Sequence, residues 1–72
     1  MAPRVPAQLQ ANEKAFLEEV EQRLGAVIRA HVLLHLIGDP SVRTLNQLAD
    51  DDRRVIRELV AKHSVDLPTT PP

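Results

Sequence analysis

The chain of 72 residues contains no cysteine, tryptophan or tyrosine, and Phe16 is its only aromatic residue. Without cysteine the protein forms neither a disulfide nor a thiolate metal site. With one aromatic ring, it cannot rely on aromatic packing or stack a series of nucleic-acid bases. A chain this short without a covalent or metal cross-link lies near the lower limit of independent stability, and such chains are often stabilised by oligomerisation.

The sequence also lacks an excess of charge of either sign, since its formal net charge is −1. Bulk attraction to nucleic acid or to an anionic membrane is therefore not expected. Its longest apolar stretch, residues 26–37, is well short of the roughly 20 residues that span a bilayer. With no signal-peptide pattern at the N-terminus, these features predict a cytoplasmic protein. A composition of 43% hydrophobic and 26% charged residues predicts that it is folded.

Glycine and proline are nearly absent between residues 7 and 37, where Gly25 is the only interruption. The other residues are good helix formers and predict one long helix from about residue 8 to residue 37. Asn12 would alternatively cap a shorter helix beginning at Glu13. A helix over 8–37 would be roughly 45 Å long.

A chain reversal follows at residues 38–40, where glycine suits a helix end and proline cannot extend the helix. The returning arm is predicted at about 41–63. The aspartates at 50–52 divide this arm into a short helix at 41–49 and a longer one from 51, because acidic residues favour a helix N-terminus. The alternative is one continuous helix that carries the aspartates on its wet face.

The predicted fold class is therefore all-α, a helical hairpin forming a single domain over residues 8–66. Residues 1–7 and the proline-rich residues 67–72 are expected to be flexible. An antiparallel return of the arm would place Val27 near Val55 and leave the residues before about Phe16 overhanging.

Residues 26–37 (AVIRAHVLLHLI) are apolar on nearly every side, and the rest of this short chain is too small to enclose them. A second copy, or a larger partner protein, would provide the missing cover. The favoured assembly is a dimer of hairpins that forms a four-helix bundle. Apolar positions of the long helix also repeat with heptad spacing. The seam predicted to carry self-association consists of Leu17, Val20, Leu24, Val27, His31 and Leu34.

Two histidines, His31 and His35, lie four residues apart on one helix face, and Asp39 follows one turn later. This spacing is compatible with a zinc ion chelated by two imidazoles, or with a protonation switch. The simpler interpretation places His31 at a core position with a hydrogen bond and His35 at the edge of the interface. We therefore predict no bound metal or cofactor.

The basic residues of the last helix form the only basic cluster of the sequence, Arg53, Arg54, Arg57 and Lys62. Such a cluster could read DNA, but the aspartates at 50–52 would repel phosphates at the helix end that enters the groove. Pairing of the arginines with nearby acidic residues is the simpler interpretation.

These observations favour a small oligomeric interaction module, such as an adaptor, accessory subunit or regulator, that acts by binding protein. The alternatives are a DNA-binding regulator or antitoxin-like protein using Arg53, Arg54 and Arg57, and a histidine-based metal or cofactor bundle. An enzyme is not expected, because the sequence has no glycine-rich phosphate loop and no convergent acid–base pattern. The residues predicted to contact a partner are Leu9, Phe16, Arg53, Arg54, Arg57 and Lys62.

Overall fold

The computed structural model describes residues 8–42 and 44–67. They contain three α-helices and no strand: α1 (Ala11–Leu24), α2 (Ala26–Leu36) and α3 (Asp50–His63). The predicted all-α class is confirmed. No helix in these ranges has the length and apolarity needed to cross a bilayer. The predicted flexible lead, residues 1–7, and residues 68–72 of the predicted tail lie outside the described residues.

The prediction of one long helix is wrong, because the chain breaks it at Gly25, whose φ is 99° and ψ is 167°. This backbone conformation is essentially restricted to glycine. The Gly25 N–H donates to the Glu21 carbonyl at 2.9 Å, and the Gly25 carbonyl accepts from the Arg29 N–H at 3.0 Å. Helix α1 thus ends and α2 begins at the same residue, and Gly25 takes part in the terminal hydrogen bonds of both helices. The principal extents of 30 × 29 × 21 Å leave no room for a helix of roughly 45 Å.

Helix α1 is central, since it packs against both α2 and α3, whereas α2 and α3 scarcely approach each other. The hairpin predicted around residues 38–40 is therefore not confirmed. The expected contact of Val27 with Val55 is wrong, because Val27 is 83% exposed. Apolar side chains from all three helices form the core, together with one residue after α3: Phe16, Leu17, Val20, Val32, Leu36, Ile56, Leu59 and Val65.

The start of α1 lies between the two predicted boundaries, at Ala11. The Gln10 N–H donates to Glu13 Oε1 at 2.9 Å and satisfies one free donor at the helix entry. Asn12, an expected capping residue, instead donates from Nδ2 to the carbonyl oxygens of His63 and Ser64, both at 3.2 Å. Asn12 thereby fixes the end of α3 against the first turn of α1.

The short helix predicted over 41–49 is wrong, because the described residues of this segment form turns and bends. Asp39 Oδ1 accepts hydrogen bonds from the Ser41 N–H at 2.9 Å and from the Ser41 hydroxyl at 2.6 Å. Thr44 Oγ1 accepts from the Asn46 N–H at 3.2 Å. Side chains of this type compete with helical hydrogen bonding. The helix at the aspartates does form, and α3 carries them in its first turn.

Candidate interaction surfaces

The predicted self-association seam is divided by the break at Gly25, so its residues do not share one stripe. Leu17 and Val20 are 1% and 0% exposed and belong to the core of their own chain. Leu24 is half-buried and packs against that core. Leu17 and Val20 therefore offer almost no surface to a second copy, and Leu24 offers only part of its side chain. Self-association itself stays a prediction, and the other two apolar residues of the seam, Val27 and Leu34, lie on α2.

The outward side of α2 is an uncharged apolar strip, which we name the α2 face: Val27, Ala30, Leu34 and Ile37. Val27 is 83% exposed, Ala30 is exposed, and Leu34 and Ile37 are half-buried without belonging to the core cluster. Their spacing of three, four and three residues places them on one side of a helix. Two predicted seam residues, Val27 and Leu34, thus share this surface. Ala30 and Ile37 were missed because the seam was traced through a continuous helix.

The two histidines occupy the reverse of their expected positions. His35 is buried, and its Nδ1 lies 3.3 Å from the carbonyl oxygen of Val42. His31 is half-buried beside the α2 face, and its buried Nε2 has no hydrogen-bond partner in the described chain. No group of three or more potential metal ligands occurs among residues 8–42 and 44–67. His31 instead borders a pocket of about 240 Å³, whose other lining residues are Pro40, Ser41, Val42, Thr44 and Gln47.

The carboxylate of Glu19 connects α1 to the end of α3. Lys62 Nζ donates to its two oxygens at 2.9 and 3.0 Å, and His63 Nε2 lies 2.9 Å from Oε1. The hydrogen bonds from Lys62 and then His63 lower the pKa of Glu19. The His63 ring also packs edge-on against Phe16, with centroids 6.4 Å apart. Lys62, a predicted partner contact, is therefore engaged within its own chain.

The arginines of α3 differ in the hydrogen bonds and ion pairs that their side chains form with the rest of the chain. Arg53 donates to Asn46 Oδ1 at 3.1 Å and forms an ion pair with Asp50, while its buried Nε has no partner in the described chain. Arg54 and Arg57 are exposed and form no ion pair with any described residue. The predicted pairing with nearby aspartates is thus confirmed for Arg53.

A second apolar surface lies beside α3, between that helix and the segments on either side of it. We name it the α3 groove; its volume is about 420 Å³. Arg53 and Arg57 border it on the α3 side, and Asp66 is its one acidic lining residue. Its apolar lining joins α3 to the segments before and after it, and comprises Leu45, Ile56, Val60, Val65 and Leu67.

The remaining predicted partner contacts, Phe16 and Leu9, are not free surface residues. Phe16 is 0% exposed and lies in the core, so its assignment as a partner contact is corrected. Leu9 is half-buried and packs against the same core. Among residues 8–15 the expected overhang is not found, because Leu9 packs against the core and Asn12 donates to the end of α3.

Comparison with known proteins finds no matching family model, no matching curated protein and no matching solved structure. The α2 face, the α3 groove and the charged residues around them are therefore the features that bear on function.

Proposed function

We propose that the protein is a small interaction module that self-associates through the α2 face. The observation that supports this proposal is the exposure of Val27, at 83%, at one end of a helix strip that carries no charge. Apolar surface removed from water on association is the main favourable contribution to most protein interfaces. A continuous apolar strip on a chain of this size therefore favours a protein partner.

The spacing of the α2 face suits a second copy of the same helix. Positions separated by three and four residues pack as an a/d seam between helices, and the small side chain of Ala30 at the centre allows close approach. Because the strip carries no charge, an isologous contact brings no like charges together at its centre. Arg29 and His31 flank the strip and would lie at the polar rim.

A test of this proposal replaces Val27 with glutamate and measures molar mass by size-exclusion chromatography with light scattering at micromolar concentration. We expect a wild-type dimer and a monomeric Val27→Glu protein, because association would bury an unpaired carboxylate at each Val27 position of the contact. Val27 is exposed in the monomer, so the far-UV circular dichroism spectrum should not change.

The matched control is Gln22→Glu, which adds the same charge at an exposed position of α1. It should leave the dimer intact. A wild-type protein that stays monomeric throughout the concentration range would contradict the proposal, as would a Val27→Glu protein that remains dimeric.

DNA binding is a second candidate function, supported by the guanidinium groups of Arg54 and Arg57, which are exposed and have no ion-pair partner among residues 8–42 and 44–67. The engagement of Arg53 with Asp50 and of Lys62 with Glu19 reduces the number of free cations on α3. A steep decrease in DNA affinity with salt, lost in the Arg53, Arg54 and Arg57 triple glutamine variant, would support this candidate.

A further inference from the structure

The α3 groove has a composition that distinguishes it from the uncharged α2 face. Its lining consists mostly of aliphatic side chains, with two arginines on the α3 side. From this combination we infer that the groove binds a short peptide segment of a partner protein, one that presents apolar side chains next to a carboxylate.

The dimensions of the groove fit side chains of a peptide. Its volume of about 420 Å³ lies within the roughly 300–1,000 Å³ typical of binding pockets. Val65 is buried and Leu67 is half-buried, so the segment after α3 forms a wall rather than a loose end. Leu45 lies in the segment before α3, and the groove is thus a cleft between different parts of the chain.

Some donors on the α3 side of the groove have no acceptor among the described residues. Arg57 is exposed and its guanidinium forms no ion pair or hydrogen bond with a described residue, and the buried Nε of Arg53 has no partner there either. Asn46 and Asp50 hold the other end of the Arg53 guanidinium, so this side chain is already oriented. A carboxylate entering beside the aliphatic side chains would pair with Arg57 and lie close to Arg53.

The acidic residues around the groove favour a peptide with few charges over a nucleic acid. The aspartates of the first turn of α3, residues 50–52, lie next to Arg53 in the sequence, and Asp66 lines the groove itself. An extended polyphosphate would pass these carboxylates and be repelled. One carboxylate on a short peptide can pair with Arg57 and meets fewer of these aspartates, so it is repelled less than a polyphosphate.

This inference goes beyond self-association, because the groove lies on α3 and the proposed dimer contact lies on α2. The Val27→Glu protein, whether monomeric or dimeric, should retain peptide binding. Loss of self-association would therefore not imply loss of peptide binding, and an absence of peptide binding would not contradict self-association.

The test begins with selection of random linear peptides displayed on phage against the full-length protein. We expect the selected peptides to share aliphatic residues adjacent to aspartate or glutamate. Fluorescence anisotropy then compares a selected peptide with its asparagine or glutamine counterpart. Loss of the carboxylate should weaken binding to the wild-type protein about three- to fivefold, as for a partly exposed ion pair.

Variants of the two exposed arginines of α3, Arg54 and Arg57, test where the carboxylate of the peptide binds. Arg57→Gln should bind the acidic peptide about as weakly as the wild-type protein binds the neutral peptide, and should no longer distinguish the two. Arg54→Gln removes the same charge from the neighbouring helix position, outside the groove lining, and should keep the wild-type preference. Amide chemical-shift changes on peptide addition should centre on Leu45, Val60 and Leu67, which locates the site without any substitution.

Several results would overturn the inference. They are the absence of enriched peptides, enrichment of basic or purely apolar peptides, and an equal loss of affinity in the Arg54 and Arg57 variants. Displacement of the peptide by duplex DNA at comparable concentration would assign the groove to nucleic acid. A peptide affinity that falls as the protein itself associates would assign the groove to a second copy.

Discussion

Replacing Gly25 with alanine should destabilise the fold through its backbone alone. Gly25 has a φ of 99°, and a Cβ built there would meet no atom within 4 Å. An L-alanine therefore encounters no steric obstacle from neighbouring residues, and the penalty comes from forcing it into a region that L-residues avoid. Alanine also favours a continuous helix by about 1 kcal/mol over glycine, which opposes the break between α1 and α2.

The strain of such a conformation is of the order of 1–3 kcal/mol. A chain of 72 residues is expected to have a free energy of unfolding of about 4–11 kcal/mol. A loss of about 2 kcal/mol would thus remove a large part of the stability and lower the melting temperature by roughly 8–16 °C.

Urea denaturation followed by circular dichroism measures this loss, and the matched control is D-alanine at position 25, introduced by chemical synthesis. D-alanine carries a methyl group but prefers positive φ, so it should leave the protein as stable as wild type or more stable by about 0.4–1 kcal/mol. An L-alanine variant with an unchanged denaturation midpoint would refute the argument that the break requires glycine at position 25. Equal losses for both enantiomers would refute it as well.

Two further perturbations test the contacts of α1. Because Glu19 has a pKa below its ordinary value of 4.5, its contribution to stability should be complete above that pH and lost as the pH falls through the lower folded value. Glu19→Gln should flatten this acid-side decrease in the urea midpoint while the exposed Glu18→Gln should not, and identical pH profiles would contradict the assignment. Phe16→Ala should cost about 3–5 kcal/mol by urea denaturation, because it leaves a cavity at a fully buried position. A loss below about 1 kcal/mol would show that Phe16 is not central to the core.

Local signals in the sequence were sufficient to predict where α2 ends and where α3 begins. The aspartates at 50–52 predicted the start of α3, which begins at Asp50. Gly38 has the positive φ, 80°, expected at the end of a helix. These features depend on the chemistry of a few adjacent residues, and tertiary contacts do not reverse them.

The break at Gly25 was not predictable from the same signals. A glycine inside a helix costs only about 1 kcal/mol, so it neither requires nor excludes a break. The heptad spacing from Leu17 to Leu34 continued through this position and favoured one helix. Packing of α2 onto α1 decided that the helix breaks. This contact joins residues on either side of Gly25, and the spacing of apolar residues in the sequence does not reveal it.

The candidate surfaces, too, were only partly predictable from the sequence. The surplus of apolar residues at 26–37 was visible in the sequence, and part of it does remain outside the core as the α2 face. The α3 groove was not visible, because Leu45 and Leu67 flank α3 from opposite ends and share no periodicity with it.

By itself, the sequence determined that the protein is all-α, where its last helix begins, and that one segment carries more apolar surface than a chain of this size can bury. The tertiary structure decided where the first helix breaks, which of its apolar residues enter the core, and which side chains line the α3 groove. Helix formation and capping depend on neighbours within about one turn, whereas the choice of buried face depends on the total area removed from water when distant segments pack together.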